Sequence, residues 1–236
     1  MKFYILINIP DPFKTILRYF RDLLKWDRCF QKSWSQEGED LILSRFFGNK
    51  RKGFYVDVGA HHPFRFSNTY RFYKMGWYGI NIDASPSSME TFKKYRKRDI
   101  NLEIPIGLAS KPLNFYVFNE PALNSFDEII SLKRNNAQND YKIIKTIPLE
   151  SRKLSDILEE YLSPGQEIDF LSVDVEGLDF EVLQSNDWHQ FSPSIVLVEI
   201  LPGKHSAIEN FMLNQGYMFY AKSGNTVFYS KESETL

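Results

Sequence analysis

From Gly53 onward, short apolar runs of strand type alternate with stretches of helical periodicity, and few architectures accept that order. FYVDV (54–58), YGINID (78–83), NLEIPIGL (101–108), IDFLSVDV (168–175) and IVLVEI (195–200) read as strands. Helical segments are expected over 67–75, stopped by Gly76, and after Ser85-Pro86-Ser87, where proline suits a first turn. Further helices are expected over 154–162, broken by Ser163-Pro164-Gly165, and over 178–186 and 205–215, the last capped by Gly216. Strands joined by helices imply right-handed crossovers and a parallel sheet. YMFYAKSGNTVFYS (217–230) instead carries a hairpin signal around Ser-Gly-Asn. The chain therefore reads as an α/β protein, doubly wound on a mostly parallel sheet with an antiparallel C-terminal hairpin. Residues 109–150 are less regular, with strand-like patches at 113–118 and 142–149.

A chain of 236 residues suits one large domain with a full core. Its formal charge of −1 gives no global field toward nucleic acid. The single cysteine, Cys29, excludes an internal disulfide framework and a CxxC metal site, and fits a reducing cytoplasm. No apolar stretch approaches the ~20 residues that span a bilayer. The initial FYILINI run stops at Pro10-Asp11-Pro12 without a small-residue cleavage site, so no signal peptide is expected. Ahead of the main domain (35–236) stands an extension, 1–34, holding a basic amphipathic helix over 12–28. Phe13, Ile16, Leu17, Phe20, Leu23 and Leu24 recur at helical spacing, with Lys14, Arg18, Arg21, Lys25 and Arg28 among them. Such a helix packs on its own domain, on a second subunit in a homo-oligomer, or on the inner face of a membrane as a peripheral contact. A second helix is expected from Ser35 to Gly48-Asn49. The basic run Lys93–Arg98 reads as a solvated helix end.

Two features carry chemistry. The first strand leads into Asp57-Val58-Gly59-Ala60, a turn where open sheets bind ligands, but positions 59–64 read GAHHPF and lack the GxGxxG dinucleotide fingerprint. The second strand ends in Asp83, an acid suited to a pair of ribose hydroxyls. In IDFLSVDVEGLDFE, Asp174, Glu176, Asp179 and Glu181 follow directly on an apolar run. Period two sets Asp174 on the strand face of Phe170 and Ser172. Asp179 and Glu181 fall in a first helical turn, where negative charge complements the helix dipole.

GFYVDVGAHHPFRFSNTYRFYKMGWYGINIDASP (53–86), SQEGEDLIL (35–43), IDFLSVDVEGLDFEVLQ and PSIVLVEI together resemble the FkbM family of S-adenosylmethionine-dependent methyltransferases. The resemblance implies a class I methyltransferase fold, a Rossmann-like seven-stranded sheet with the first and fourth strands side by side. It implies that Asp57 and Gly59 lie near the methionine part of S-adenosylmethionine, that Asp83 binds the ribose, and that Gln36 and Asn68 add contacts. It also implies methyl transfer to a hydroxyl, on a sugar or glycan such as a bacterial surface polysaccharide or on a polyketide-type product; a non-catalytic binding domain is the rival reading. Methylating a hydroxyl calls for alignment and for a base or a metal. Asp174, Glu176, His61 and His62 follow strand ends and are the candidate catalytic groups. Asp174 and Glu199 are placed similarly to the acids that hold magnesium in catechol-type O-methyltransferases, which makes them candidate ligands for Mg2+.

Overall fold

The computed structural model describes residues 11–27, 31–201 and 205–231, with the side chains of 11, 22–27 and 122 outside that description. The chain divides into two compact units, Met1–Ser33 and Trp34–Leu236. The first contains helix α1 (Asp11–Asp27), and Phe13, Ile16, Leu17 and Phe20 on it are exposed. Cys29 and Arg28 lie outside the described residues, and the side chains of Leu23, Leu24 and Lys25 do as well. No described helix is long and apolar enough to cross a membrane.

The second unit is built on a seven-stranded sheet. Its parallel part comprises β1 (Phe54–Val58), β2 (Tyr78–Asp83), β3 (Ile100–Glu103), β6 (Phe170–Val173) and β7 (Ile195–Glu199). The antiparallel hairpin β8 (Tyr217–Ser223) and β9 (Thr226–Lys231) completes it in the order β3-β2-β1-β6-β7-β9-β8. β1 is therefore central, paired with β2 on one side and with β6 on the other. The chain order leaves β1 toward β2 and β3, then crosses to β6 and β7, so ligand-binding space opens at the β1/β6 boundary.

Period two sorts the side chains of these strands to two faces. Val56, Val58, Ile80, Leu171, Val173 and Val196 pack under α6 (Leu154–Tyr161), α7 (Asp179–Gln184) and α8 (His205–Asn214) through Leu154, Ile157, Val182, Leu183, Ile208 and Met212. Tyr55, Phe170, Ile195, Leu197 and Phe228 face the opposite way, against Leu43 of α2 (Glu39–Phe47), Phe72 of α3 (Tyr70–Met75) and Trp77. Both faces are covered, which is why the central strands are apolar almost throughout.

The irregular stretch expected over 109–150 is a separate element. β4 (Pro112–Phe118) and β5 (Ile143–Glu150) form a two-stranded antiparallel sheet, with α5 (Glu128–Asn136) between them in sequence. Asp127 caps α5 by accepting from the Ile130 N–H at 2.9 Å. The third strand is shorter than the 101–108 read from sequence. After Glu103 the chain leaves the sheet through Ile104-Pro105, and proline has no N–H for a further ladder bond.

One segment departs from its sequence reading. Arg96, at the end of α4 (Ser88–Tyr95), is fully buried rather than solvated. Its Nε donates to Asp99 at 2.9 Å, and its other nitrogens donate to the Tyr55 hydroxyl at 2.8 Å, to Thr69 Oγ1 at 2.9 Å and to the Pro63 carbonyl at 3.1 Å. Thr69 in turn donates to Asp57 at 3.1 Å, and Asn81 and the Gly79 N–H donate to Asp99. A charge run in sequence says nothing of which member turns inward; here buried Asp99, three residues on, selects Arg96. Replacing it with methionine strands Asp99 and Asp57 without their cation. Arg96→Met is expected to lower unfolding stability by about 3–5 kcal/mol, read from urea denaturation.

Candidate active site

At the carboxyl ends of β1, β2, β6 and β7 a cleft of about 360 Å³ opens. Gly59 leaves β1 with φ 87° and donates its N–H to the Ile82 carbonyl at 2.9 Å, tying the turn to the end of β2. A Cβ on Gly59 would overlap the Asp174 carbonyl oxygen, so both its torsion and its space require glycine. Asp83 closes β2 and accepts from the His61 N–H at 2.9 Å and the Ser85 N–H at 2.7 Å. It lines the cleft and also a small adjoining recess, whose apolar side is formed by Ile104, Pro105, Ile106 and Phe126.

Gln36 reaches the cleft because its loop is pinned at both ends. Buried Asp40 accepts from the Trp34 N–H at 3.0 Å and from the Ser35 hydroxyl at 3.1 Å, while Glu39 accepts from the Glu37 N–H at 2.9 Å. From the far side, Ser223 of the hairpin donates to the Glu37 carbonyl at 2.6 Å. Asn68 also lines the cleft and donates to Ser172 at 3.1 Å, linking the α3 approach to β6.

Asp174, Glu176 and Glu199 converge here, each offering a carboxylate oxygen within 4.8 Å of the others. Asp174 is open to the cleft yet sits amid dense protein. That confinement, then the charges of Glu199, Asp179 and Glu176 and a hydrogen bond with Glu199, push it well above the usual carboxylate range. Glu199 is raised as well, chiefly by burial and by the charge of Glu176, against hydrogen bonds from Asp174 and Asn225. Its buried Oε2 forms no well-aligned hydrogen bond. Two carboxyls in such contact raise the pair's affinity for a proton. Glu176 is treated differently: Arg134 of α5 meets it at 2.7 Å. Glu176 has φ 56° and Gly177 φ 117°, and a Cβ on Gly177 would meet Ile130 and Asp127.

The structure thus brings Gln36, Gly59, His61, Asn68, Asp83, Asp174, Glu176 and Glu199 to one cleft, and leaves two expected residues out of it. Asp57 is buried below, held by Thr69 and Ser172, and burial, opposed by Arg96, pushes it up to about 6. His62 is not in the lining. Its Nδ1 accepts from the Phe64 and Arg65 N–H groups at 3.1 and 3.0 Å, and burial, then the neighbouring His61, lowers its pKa. Asp179 is more than a first-turn acid. It is buried and accepts from the Val175 and Gly177 N–H groups at 2.9 and 3.1 Å, so it fixes the loop that carries Glu176. Glu37 and Glu39 belong to the SQEGED block already singled out, but nothing distinguished them from surface acids. Arg134 had no signal, since its partner is set by packing of α5.

Turn, acid-ended second strand and strand-end carboxylates on this sheet are the furniture of a methyltransferase. Residues 57–219 match the methyltransferase FkbM domain. That is well over half of the chain, and the protein belongs to the FkbM-domain methyltransferases. Comparison with curated proteins and with solved structures returned no match.

Asp179 has a measurable consequence. Burial, opposed by the Val175 N–H, raises it to about 7, so the folded chain keeps a proton that the unfolded chain loses near 4. The stability it contributes is complete below about pH 4 and is lost as pH rises through 7, at up to about 1.4 kcal/mol per pH unit. The stability of the wild type relative to Asp179→Asn should therefore be greatest near pH 4 and shrink toward pH 8, in urea midpoints measured across that range.

Proposed function

We propose that the protein transfers a methyl group from S-adenosylmethionine to a hydroxyl of a sugar or glycan. One observation carries this reading. The cleft is lined by Glu37, Glu39, Asp83, Asp174, Glu176 and Glu199, and by no lysine or arginine among the described residues. A wall of hydrogen-bond acceptors suits a ligand made of O–H donors, and it suits a cofactor bearing positive charge. The same wall repels a phosphate backbone, which disfavours a nucleic-acid substrate.

The residues present fit S-adenosylmethionine. Asp83 is directed to the junction of cleft and recess, where a ribose would bind, and the apolar recess of Ile104, Pro105 and Ile106 suits the edge of an adenine. Gly59 keeps the backbone side of the cleft free of a Cβ, and Gln36 and Asn68 offer amide groups to the amino-acid end. When bound, the cofactor supplies an electrophilic methyl on a sulfonium. The protein's own part is alignment and proton removal. Asp174, open to the cleft and with its proton affinity raised by burial and by the neighbouring Glu199, accepts the proton of the attacking hydroxyl. Glu176, anchored by Arg134, accepts a hydrogen bond from a second hydroxyl and sets the acceptor's orientation. His61 stands at the cofactor side of the same cleft, its N–H bound to Asp83.

Asp174→Asn is expected to lower kcat by about 10²–10⁴-fold while S-adenosylmethionine binding by calorimetry stays near wild type. Unchanged turnover in that variant would remove Asp174 from the chemistry, and a wild-type chain that binds cofactor but methylates no glycan hydroxyl would favour a binding domain. Three converging carboxylates would also hold a magnesium ion through oxygen ligands. Arg134, paired with Glu176 at 2.7 Å, already brings a cation to this cluster. Exhaustive EDTA treatment should accordingly leave turnover intact, and loss restored by Mg2+ would establish the metal instead.

A further inference from the structure

We infer that Phe126 is a cofactor-binding residue supplied by the segment inserted between β3 and α6, and that bound cofactor clamps this insertion onto the loop carrying Glu176. The inference rests on the S-adenosylmethionine reading above. The insertion leaves and rejoins the domain through one neck, where the Gly107 N–H donates to the Arg152 carbonyl at 2.9 Å and the Arg152 N–H donates to the Pro105 carbonyl at 3.0 Å. Beyond the neck, β4 pairs with β5 and packs against α5. The chain then returns to the active site over residues 125–134. The Ser125 hydroxyl donates to the Glu176 carbonyl at 2.7 Å, and Arg134 meets the Glu176 carboxylate at 2.7 Å. Backbone and side chain of Glu176 are thus both held by the insertion, at a left-handed residue that needs such support.

Phe126 stands beside these ties. It is half-buried, its ring lies 4.8 Å from that of Phe115 on β4, and it lines both the cleft and the adjoining recess. Every other residue lining the recess lies on β1 or β2, or in the chain that directly follows β1, β2, β3 or β6. An adenine seated there meets strand ends on one side and Phe126 on the other, and an aromatic ring gives a flat purine an offset or edge-on partner. A ligand that touches two parts of a protein stabilises their contact, and the contact strengthens binding by the same factor. Cofactor therefore binds first and secures Glu176 before the acceptor arrives.

The test uses the full chain with S-adenosylhomocysteine, whose sulfur carries no charge, so that removing a cation elsewhere acts on its binding through position. Calorimetry reads affinity, and amide hydrogen exchange reads the insertion. The wild type should bind and slow exchange over Glu128–Asn136 about tenfold. Phe126→Ala should weaken binding about tenfold and abolish that slowing, while ligand still protects the turn at 59–60. Phe126→Trp should restore both. Should alanine loosen the insertion itself, Phe126→Leu keeps an apolar group against Phe115 and should still weaken binding. Arg134 lines neither the cleft nor the recess, yet Arg134→Gln should weaken binding about threefold, and should have no effect once Phe126→Ala is present. A wild type that fails to bind overturns this inference together with the cofactor reading. Binding with unchanged exchange in α5, full affinity in both Phe126→Ala and Phe126→Leu, or an Arg134→Gln effect that persists without Phe126 overturns this inference alone.

Discussion

A guanidinium with no exposed surface sits under the first strand of the sheet, and the geometry above it follows from how that charge is satisfied. Arg96 binds Asp99 directly and Asp57 through Thr69, with Tyr55 between. Every partner lies on β1, at the approach to α3 or at the approach to β3, so one cation registers three segments that meet nowhere else in sequence. Breaking such an array costs more than any one contact, because each remaining group is left buried without its complement. The apolar layers close the sheet, and the loop after β1 is also held to this polar seam through the Pro63 carbonyl.

The net charge of −1 conceals a strong sorting of charge. Acids gather around the cleft, and no lysine or arginine among the described residues lines it. Within the cleft the acids are managed by three different devices. Glu199 raises the proton affinity of Asp174, Glu176 takes the charge of Arg134, and Asp179, buried beneath the cleft, is satisfied by backbone N–H groups. A close cluster of like charges is thereby divided into groups with separate tasks.

The fold was largely legible in the sequence because apolar periodicity is a local property. Strand runs such as FYVDV and IVLVEI stand where expected, and Gly48, Gly76 and Gly216 end helices as read. The β4–β5 sheet was visible only as two patches, since its pairing brings Pro112 opposite Glu150 and such distance leaves no periodic trace. In the site, residues on strand ends were readable because their place follows from the strand. His62 stands outside the cleft because its ring accepts from its own turn, a choice made by the backbone geometry after Ala60. Arg96 and Arg134 were unreadable for a common reason: the partner that explains each is fixed by tertiary packing.

Among the described residues, three of the four non-glycine residues with left-handed backbone, His61, Phe66 and Glu176, line the cleft. Each such position stores strain of order 1–3 kcal/mol that the surrounding structure must hold in place. For the history of such a chain the result is an uneven tolerance to mutation. Exchanges to glycine, asparagine or aspartate at these three positions keep the backbone accessible, whereas valine or isoleucine closes it, whatever room the side chain finds. The cleft's rim can therefore drift in chemistry only along a narrow set of residues, although it lies on loops where variation is ordinarily free.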